Sequence, residues 1–347
     1  MFNKLSALFS SDISIDLGTA NTLIYVAHKG VVLDQPSVVA LLHEKGSLTP
    51  YAFGHEAKMM LGKTPSDISA IRPLKDGVIA EFKAAEEMIK FFINSVHKKR
   101  SFFARPLVIV CVPYGSTAVE RRAIQDAVES AGAREVFLIF EPMAAAIGAN
   151  LPVTDPTGSM VIDVGGGTTE VGLISLGGPV AASSIRVGGD TFDEYISSYV
   201  RKKHNLYIGE STAEKIKKEI GNALVDNESK HSTISVKGRD AITGIPKQIT
   251  LSEKDICESI IDPINQIIDV VKSVLEKAPP AISSDIADNG ITLTGGGALL
   301  KNLDLVISKS TQLNVTVAKE ALACVVNGTG KVLEEFSKFR HVLFKQE

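Results

Sequence analysis

Cysteine is scarce: it occurs three times in 347 residues, and Cys111, Cys257 and Cys324 each stand singly in an apolar context. That excludes a disulfide framework or a zinc cluster and suits a reducing cytosol. Neither sign of charge is in excess, and a net charge of -3 gives no reason to expect nucleic acid as a partner. No apolar run approaches the roughly 20 residues needed to span a bilayer, and there is no signal peptide with a small-residue cleavage site, so the chain is expected to stay inside the cell. Two nucleotide signatures are also missing. There is no G-x-G-x-x-G and no G-x-x-x-x-G-K-[ST]; the nearest lookalike, GTGKV at 328–332, lacks the first glycine and the hydroxyl residue. A dinucleotide fold and a P-loop are therefore disfavoured. The composition, 44% apolar and 22% charged, is that of a soluble globular protein with room for two or more domain-sized units.

What the chain does have is glycine in unusual places. The stretch MVIDVGGGTTEVGLIS at 160–175 reads as two strands interrupted by Gly165, Gly166 and Gly167. Glycine weakens a strand, so three in a row need a reason. Without a Cβ in the way, successive backbone N–H groups can converge on an anion such as phosphate, with the hydroxyls of Thr168 and Thr169 as further donors. The plainer reading is a glycine-rich hairpin turn. A second copy shifts the balance: ISIDLGTANTLIYVA, from Ile13 to Ala27, repeats strand, Asp, apolar residue, Gly, small polar turn and strand. Asp16 matches Asp163. Two such aspartates suit a metal–phosphate ligand held between two loops, since Mg²⁺ takes hard oxygens and keeps much of its water; an Asx-turn is the structural alternative. A third run, ITLTGGGALLKNL at 291–303, places Gly295, Gly296 and Gly297 between a short strand and the start of a helical pattern, where a flat ring or a phosphate can lie against backbone.

Between these runs strands and helices alternate, as an α/β architecture requires. EFKAAEEMIKFFINSVHKK puts Phe82, Ala85, Ile89, Phe92, Ile93 and Val96 on one helical face. LVIVCVP is a buried strand, followed by Thr117 and Glu120 at capping-box spacing, a helix through Ser130 and Gly132 as its stop. VFLIFEP is another buried strand, ending at Glu141 with Pro142 in the first turn of the next helix. A carboxylate at the carboxyl end of a buried strand sits where ligands of α/β sheets bind, and Glu141 there can orient or deprotonate a water attacking phosphorus; its alternative role is to favour the helix dipole. From 189 the chain becomes polar and helical, with Ser211 and Glu214 again at capping-box spacing, then a short strand near HSTISVKG, a Gly/Pro turn and the strand KQITL. This reads as an inserted small subdomain.

The order DLGTANT, VPYG with EPMAAAIG, DVGGGTTEV, GESTAEKIK and LTGGGALL resembles the actin, sugar-kinase and heat-shock-chaperone superfamily over nearly the whole length. Within it, the chain closely resembles the MreB family of bacterial actin-like cell-shape proteins. The resemblance implies an actin-like ATPase fold, α/β, of two lobes with duplicated ribonuclease-H-like cores and four subdomains. Their expected bounds are 1–33, 78–155 and 327–347 for IA, 34–77 for IB, 156–188 and 251–326 for IIA, and 189–250 for IIB. It implies ATP and Mg²⁺ clamped in the cleft. Asp16, Gly18, Thr19, Ala20, Asn21 and Thr22 would form the first phosphate loop; Asp163, Gly165, Gly166, Gly167, Thr168 and Thr169 would form the second, with Asp16 and Asp163 holding Mg²⁺ through water. Glu214, Lys215, Ile216 and Lys217 would border the nucleoside, and Gly295, Gly296, Gly297, Ala298 and Leu299 would pack against adenosine and the α-phosphate. Glu141, with Thr168, would position the hydrolytic water in a weak ATPase coupled to polymerisation.

Two segments invite membrane contact. MFNKLSALF can form a short helix with Phe2, Leu5 and Phe9 along one side, and RSFFARP sets Phe102 and Phe103 between basic residues. A mobile terminus and strand-end core are the respective alternatives. Each aromatic buried in lipid contributes roughly 1.5 to 3 kcal/mol, so one subunit binds marginally and a filament binds well. Head-to-tail contacts leave no periodic signature. Self-assembly into filaments at the inner face of the cell membrane, together with membrane-embedded elongation proteins and the cell-wall synthesis machinery as partners, is what the resemblance implies. The competing readings are a small-molecule kinase, a chaperone, and an adaptor that binds ATP without hydrolysing it.

Overall fold

The computed structural model describes residues 12–44, 47–96, 105–226 and 232–346. Phe2, Leu5, Phe9, Phe102 and Phe103, the expected membrane anchors, lie outside the described residues. Among the described residues no helix is long and apolar enough to cross a membrane.

Two five-stranded sheets carry the molecule, and they have one topology written twice. In the first, the strands Ile13–Leu17, Asn21–Val26 and Gly30–Pro36 form an antiparallel meander, and Leu107–Val112 and Glu135–Phe140 extend it in parallel beyond its first strand. In the second, Ser159–Val164, Thr169–Ser175 and Gly178–Ile185 form the meander, and Ile291–Thr294 and Val315–Val317 are the parallel additions. Each copy also carries a small antiparallel sheet inserted after its third strand. The first insertion pairs Ser47–Phe53, Val39–Glu44 and Ile68–Ile71; the second pairs Leu206–Tyr207, Thr233–Asp240 and Pro246–Ser252.

The central strands are buried and mostly apolar because helices cover both faces of each sheet, so alternation is lost. LVIVCV is buried from its second residue onward, and SMVIDV is buried along its whole length. Each sheet has its own hydrophobic core. A third cluster lies between them, where Ile109, Cys111 and Ile139 of the first sheet meet Val161 and Ile174 of the second through the helices Glu141–Gly148 and Cys324–Glu334. Those two helices cross almost without side chains: a Cβ on Gly148 would lie 1.8 Å from the carbonyl oxygen of Cys324, and one on Gly328 would lie 1.8 Å from that of Ala144.

Local signals in the sequence were mostly honoured. The Thr117–Glu120 box forms reciprocally, with Glu120 N–H donating to Thr117 Oγ1 at 3.2 Å and Thr117 N–H to Glu120 Oε2 at 2.7 Å. Gly132 ends that helix at φ +110°, a conformation open to glycine. Three expectations change. Phe82 is 41% exposed, because it is the first residue of the helix Phe82–Val96 and the buried stripe runs from Ala84 and Ala85 through Met88, Ile89, Phe92 and Ile93. The Ser211–Glu214 box does not form: the helix runs from Glu210 to Ile220 with Gly209 as its cap and no side-chain capping bond. After Gly295 the chain makes a 3₁₀ turn, Gly296–Leu299, and the α-helix begins only at Leu303.

Candidate functional site

The two glycine turns meet tip to tip. The first hairpin closes at the pair Leu17–Thr22 and the second at Val164–Thr169. A Cβ on Gly166 would sit 2.7 Å from the Cβ of Ala20, and one on Gly167 would sit 2.6 Å from Thr19 Oγ1, so only glycine permits the approach. Each turn is braced from behind. Ser37 Oγ donates to Gly18 O at 2.6 Å and lies 2.9 Å from Thr22 Oγ1, while Gly77 N–H donates to Thr19 Oγ1 at 3.0 Å. On the other side, Gly189 N–H donates to Gly165 O and Asp190 N–H to Gly166 O, at 2.9 and 2.8 Å. The helix Gly189–His204 thus begins at the second turn, and Gly188 is held there because its Cβ would lie 2.6 Å from Gly166 O. The third run presses on the same strand end: Gly295, at φ +82°, would place a Cβ 2.4 Å from Val164 O.

Asp16 and Asp163 stand one residue before these turns at equivalent points. Asp16 Oδ1 accepts from Cys111 Sγ at 3.2 Å, and Asp163 Oδ1 accepts from Thr294 Oγ1 at 2.7 Å. Burial pushes Asp16 up to about 7; the Cys111 bond opposes this, and the charges of Asp163 and Asp34 add to it. Burial likewise pushes Asp163 up to about 6 against the Thr294 bond. Glu141, first residue of its helix, is raised well above the usual carboxylate range by burial, then by the charges of Glu170, Asp16 and Asp163. Among the described residues none of these carboxylates forms an ion pair with Lys or Arg.

That arrangement fits Mg²⁺ with a polyphosphate. Desolvation and mutual repulsion raise these carboxylates, and a divalent cation bound there would lower them again. Among the described residues no three His, Cys, Asp or Glu side chains make a closed metal cage. Two carboxylates with room for water and phosphate oxygens are the usual Mg²⁺ setting.

The remaining sequence-predicted residues divide into those that face this centre and those that do not. Thr168 is 7% exposed and lies beside Gly77. The Thr169 hydroxyl is spent on Val187 O at 2.7 Å, and the Asn21 amide on Asp34 Oδ1 at 2.7 Å. Lys217 reaches the foot of the second turn, donating to Gly189 O at 2.6 Å and Asp193 Oδ2 at 2.8 Å. Ile216 packs into the second lobe's core and Lys215 points outward toward Glu219, so their side chains do not join the centre. Ala298 is buried, whereas Leu299 is exposed and lines a cavity of about 350 Å³ with Leu322 and Val31.

Glu214 turns across the cleft. It accepts from Lys58 of the first lobe's insertion at 2.9 Å and from Lys218 of its own helix at 2.7 Å. Burial acts to raise it, but the bonds to Lys218 and Lys58 win and hold it at about 2. One turn earlier on the same helix, Glu210 accepts from Arg72 Nε at 2.9 Å. Sequence reasoning missed these cross-cleft pairs, and also Gly188, Gly189 and Glu170. Glu170 is fully buried and is pushed up to about 7 by burial, against bonds from Ser184 and Tyr114 N–H. A lone carboxylate inside the apolar strand TEVGLIS was the available signal for it.

Comparison with known proteins agrees with this architecture. The family model described as MreB/Mbl protein matches residues 10–341. The chain is 52% identical to the cell shape-determining protein MreB of Escherichia coli (strain K12) over 349 residues, covering 100% of both chains. It is 45% identical to the cell shape-determining protein Mbl of Bacillus subtilis (strain 168) over 331 residues, covering 95% of this chain and 98% of that one. The solved structure of MreB5 of Spiroplasma citri bound to ADP superposes with a TM-score of 0.88 at 37% identity, covering 96% of this chain and 98% of that one. A subunit of the MamK double helical filament, at 19% identity and a TM-score of 0.78 over 93% of this chain and 99% of that one, shares the fold. The kinase and adaptor readings are not favoured by full-length similarity to shape-determining relatives. Duplicated five-stranded sheets with tip-to-tip glycine turns, and a family match from end to end of the described core, make this chain an actin-like protein belonging to the MreB/Mbl family of cell-shape determinants.

Proposed function

We propose that the chain binds ATP·Mg²⁺ between its two glycine turns, hydrolyses it slowly, and polymerises into membrane-associated filaments that organise cell-wall synthesis. The observation that carries this reading is the tip-to-tip packing of two equivalent turns, each preceded by an aspartate, Asp163 buried and Asp16 partly buried, with no Lys or Arg partner among the described residues. The solved structures of MreB5 of Spiroplasma citri bound to ADP and to AMPPNP support the nucleotide.

Gly165 N–H closes its own turn on Thr168 O at 2.8 Å, so the backbone N–H groups of Gly18 to Thr22 and those of the second turn after Gly165 would hold phosphate oxygens, with Asp16 and Asp163 holding the metal through water. When bound, ATP·Mg²⁺ supplies the phosphoanhydride and the charge that lets both aspartates ionise. Glu141, with Thr168, orients the attacking water and accepts its proton. Gly295 to Leu299 back the adenosine, and Glu214 to Lys217 border the nucleoside at backbone level. Subdomain bounds at about residues 34, 78, 156, 189, 251 and 327 belong to this reading; the first small sheet starts at Val39, after the third meander strand Gly30–Pro36, and the second starts after Gly178–Ile185.

Nucleotide bridging both lobes favours the closed, polymerising form, and hydrolysis loosens it. Filaments grow by a heterologous head-to-tail contact, and the weak anchors at Phe2, Leu5, Phe9, Phe102 and Phe103 add up along them at the inner face of the cytoplasmic membrane. Membrane-embedded elongation proteins and the wall-synthesis machinery are the expected partners there. The test is sedimentation and electron microscopy of purified protein with ATP on anionic liposomes. Wild type should pellet and decorate the membrane, and Asp163→Ala should do neither; a mutant that pellets like wild type would end the nucleotide-clamp account.

A further inference from the structure

Glu170 is 0% exposed, the second residue of an otherwise largely apolar strand, Thr169–Ser175, and among the described residues it has no Lys or Arg partner. A buried unpaired carboxylate is expensive unless its oxygens are satisfied. Both oxygens are used, and they reach in different directions. Oε2 accepts from Tyr114 N–H at 3.0 Å, in the turn that follows the first-lobe strand Leu107–Val112. Oε1 accepts from Ser184 Oγ, on the third strand of the second lobe's meander. Gly115 beside Tyr114 would place a Cβ 2.9 Å from Ser184 Cβ, so the first-lobe turn lies directly on that strand.

The turn leads to Glu141. The Tyr114 ring packs edge-on to Phe140 with centroids 5.1 Å apart, and Phe140 is the residue that caps the helix begun by Glu141. Two positions after Glu170, on the same face of its strand, Gly172 leaves the space that Pro142 fills; a Cβ there would lie 2.7 Å from Pro142 Cβ. Asp163 pairs with Glu170 across the hairpin and so faces the same side. One face of the hairpin therefore carries Asp163, the Tyr114 anchor and the seat for the helix that bears Glu141.

We propose that Glu170 is a positioning residue for ATP hydrolysis: its carboxylate fastens the Tyr114 turn of the first lobe onto the second lobe's hairpin and so fixes the direction of Glu141 in the cleft. This rests on the reading of Glu141 given above. It acts through hydrogen bonds and not through charge, since a glutamine can accept from Tyr114 N–H and donate to Ser184 Oγ.

The experiment measures phosphate release at saturating ATP, and nucleotide affinity with a fluorescent ATP analogue, for full-length wild type and variants. Glu170→Ala should lower kcat at least tenfold with affinity within threefold, and Glu170→Gln should recover to within threefold of wild type. Tyr114→Leu, which leaves both bonds to Glu170 in place, should reproduce most of the kcat loss and serves where Glu170→Ala does not fold. A wild-type rate in Glu170→Ala or Tyr114→Leu, or a Gln variant as slow as Ala, overturns the proposal. Glu141→Gln separates the two readings: if it is slow while Glu170→Ala is not, only the positioning role fails, and if it hydrolyses like wild type, both fall.

Discussion

Lys58 Nζ and Glu214 Oε2 lie 2.9 Å apart and join helices of opposite lobes across 156 residues of sequence. The pair is partly solvated, with side chains 29% and 21% exposed, so its contribution is modest. A double-mutant cycle on Lys58→Ala and Glu214→Ala should give a coupling of about 0.5–1 kcal/mol, smaller at high salt. The cycle is read from urea unfolding free energies, and separately the nucleotide-free lobe separation by small-angle scattering should widen in Lys58→Glu and return in the charge-swapped double mutant. A separation that does not respond to the swap would mean that the contact does not hold the cleft.

Gly166→Ala tests the meeting of the turns. The new methyl would face Ala20 Cβ at 2.7 Å, and neither backbone can retreat without moving its hairpin. Nucleotide affinity should fall about tenfold, or about 1.4 kcal/mol, with little change in thermal midpoint. Equilibrium binding of a fluorescent ATP analogue decides it; unchanged affinity would show that turn spacing is immaterial.

The acidic centre sets a pH dependence. Asp16, Asp163 and Glu170 are raised from 3.8, 3.8 and 4.5 to about 7, 6 and 7, so the native chain keeps protons that the unfolded chain has released. Their contribution to stability is complete below about pH 4 and is lost as pH rises through 6 to 7. Glu214 titrates in a separate window, its contribution failing only as pH falls from 4.5 toward 2. Without nucleotide or Mg²⁺ the thermal midpoint should therefore decline between pH 5 and pH 7.5, and millimolar Mg²⁺ with ADP should restore it at the upper end. A midpoint that climbs steadily across this range, in scanning calorimetry, would contradict the assignment.

Gly328→Ala should destabilise by about 2–3 kcal/mol in urea unfolding, because its methyl would stand 1.8 Å from Ala144 O in a helix crossing that has no flexible side chain to yield. Gly132→Ala is the useful contrast. It meets open space, so any loss there reports the φ of +110° alone.

Repetition and local chemistry made much of this fold readable. The two strand–Asp–Gly–turn units stand out because hairpins are local, and the Thr117 box because all its partners lie within four residues. Ser211 and Glu214 failed as a box because the helix begins at Glu210 with Gly209 as its cap, which places Ser211 inside the first turn, and Glu214 instead takes Lys58, a partner distant in sequence that no periodicity announces. Ile216 lies in a motif whose resemblance suggested a nucleoside border, yet helical phase turns its side chain into the core. Glu170 gave a sign in plain view, a charge in an apolar strand, but its purpose emerges only when the Tyr114 turn is laid over it. Phe82 was misplaced by periodicity because amphipathic phase says nothing about where a helix begins.

The contact of Gly166 with Ala20 has a consequence for how such a protein can change. Each turn is part of the wall of the other, so neither can be lengthened, shortened or given a bulkier residue by itself. Variation at Ala20 with Gly166, and at Thr19 with Gly167, should come in matched pairs, and a library randomised at these four positions together should yield working solutions that libraries of either turn alone do not contain.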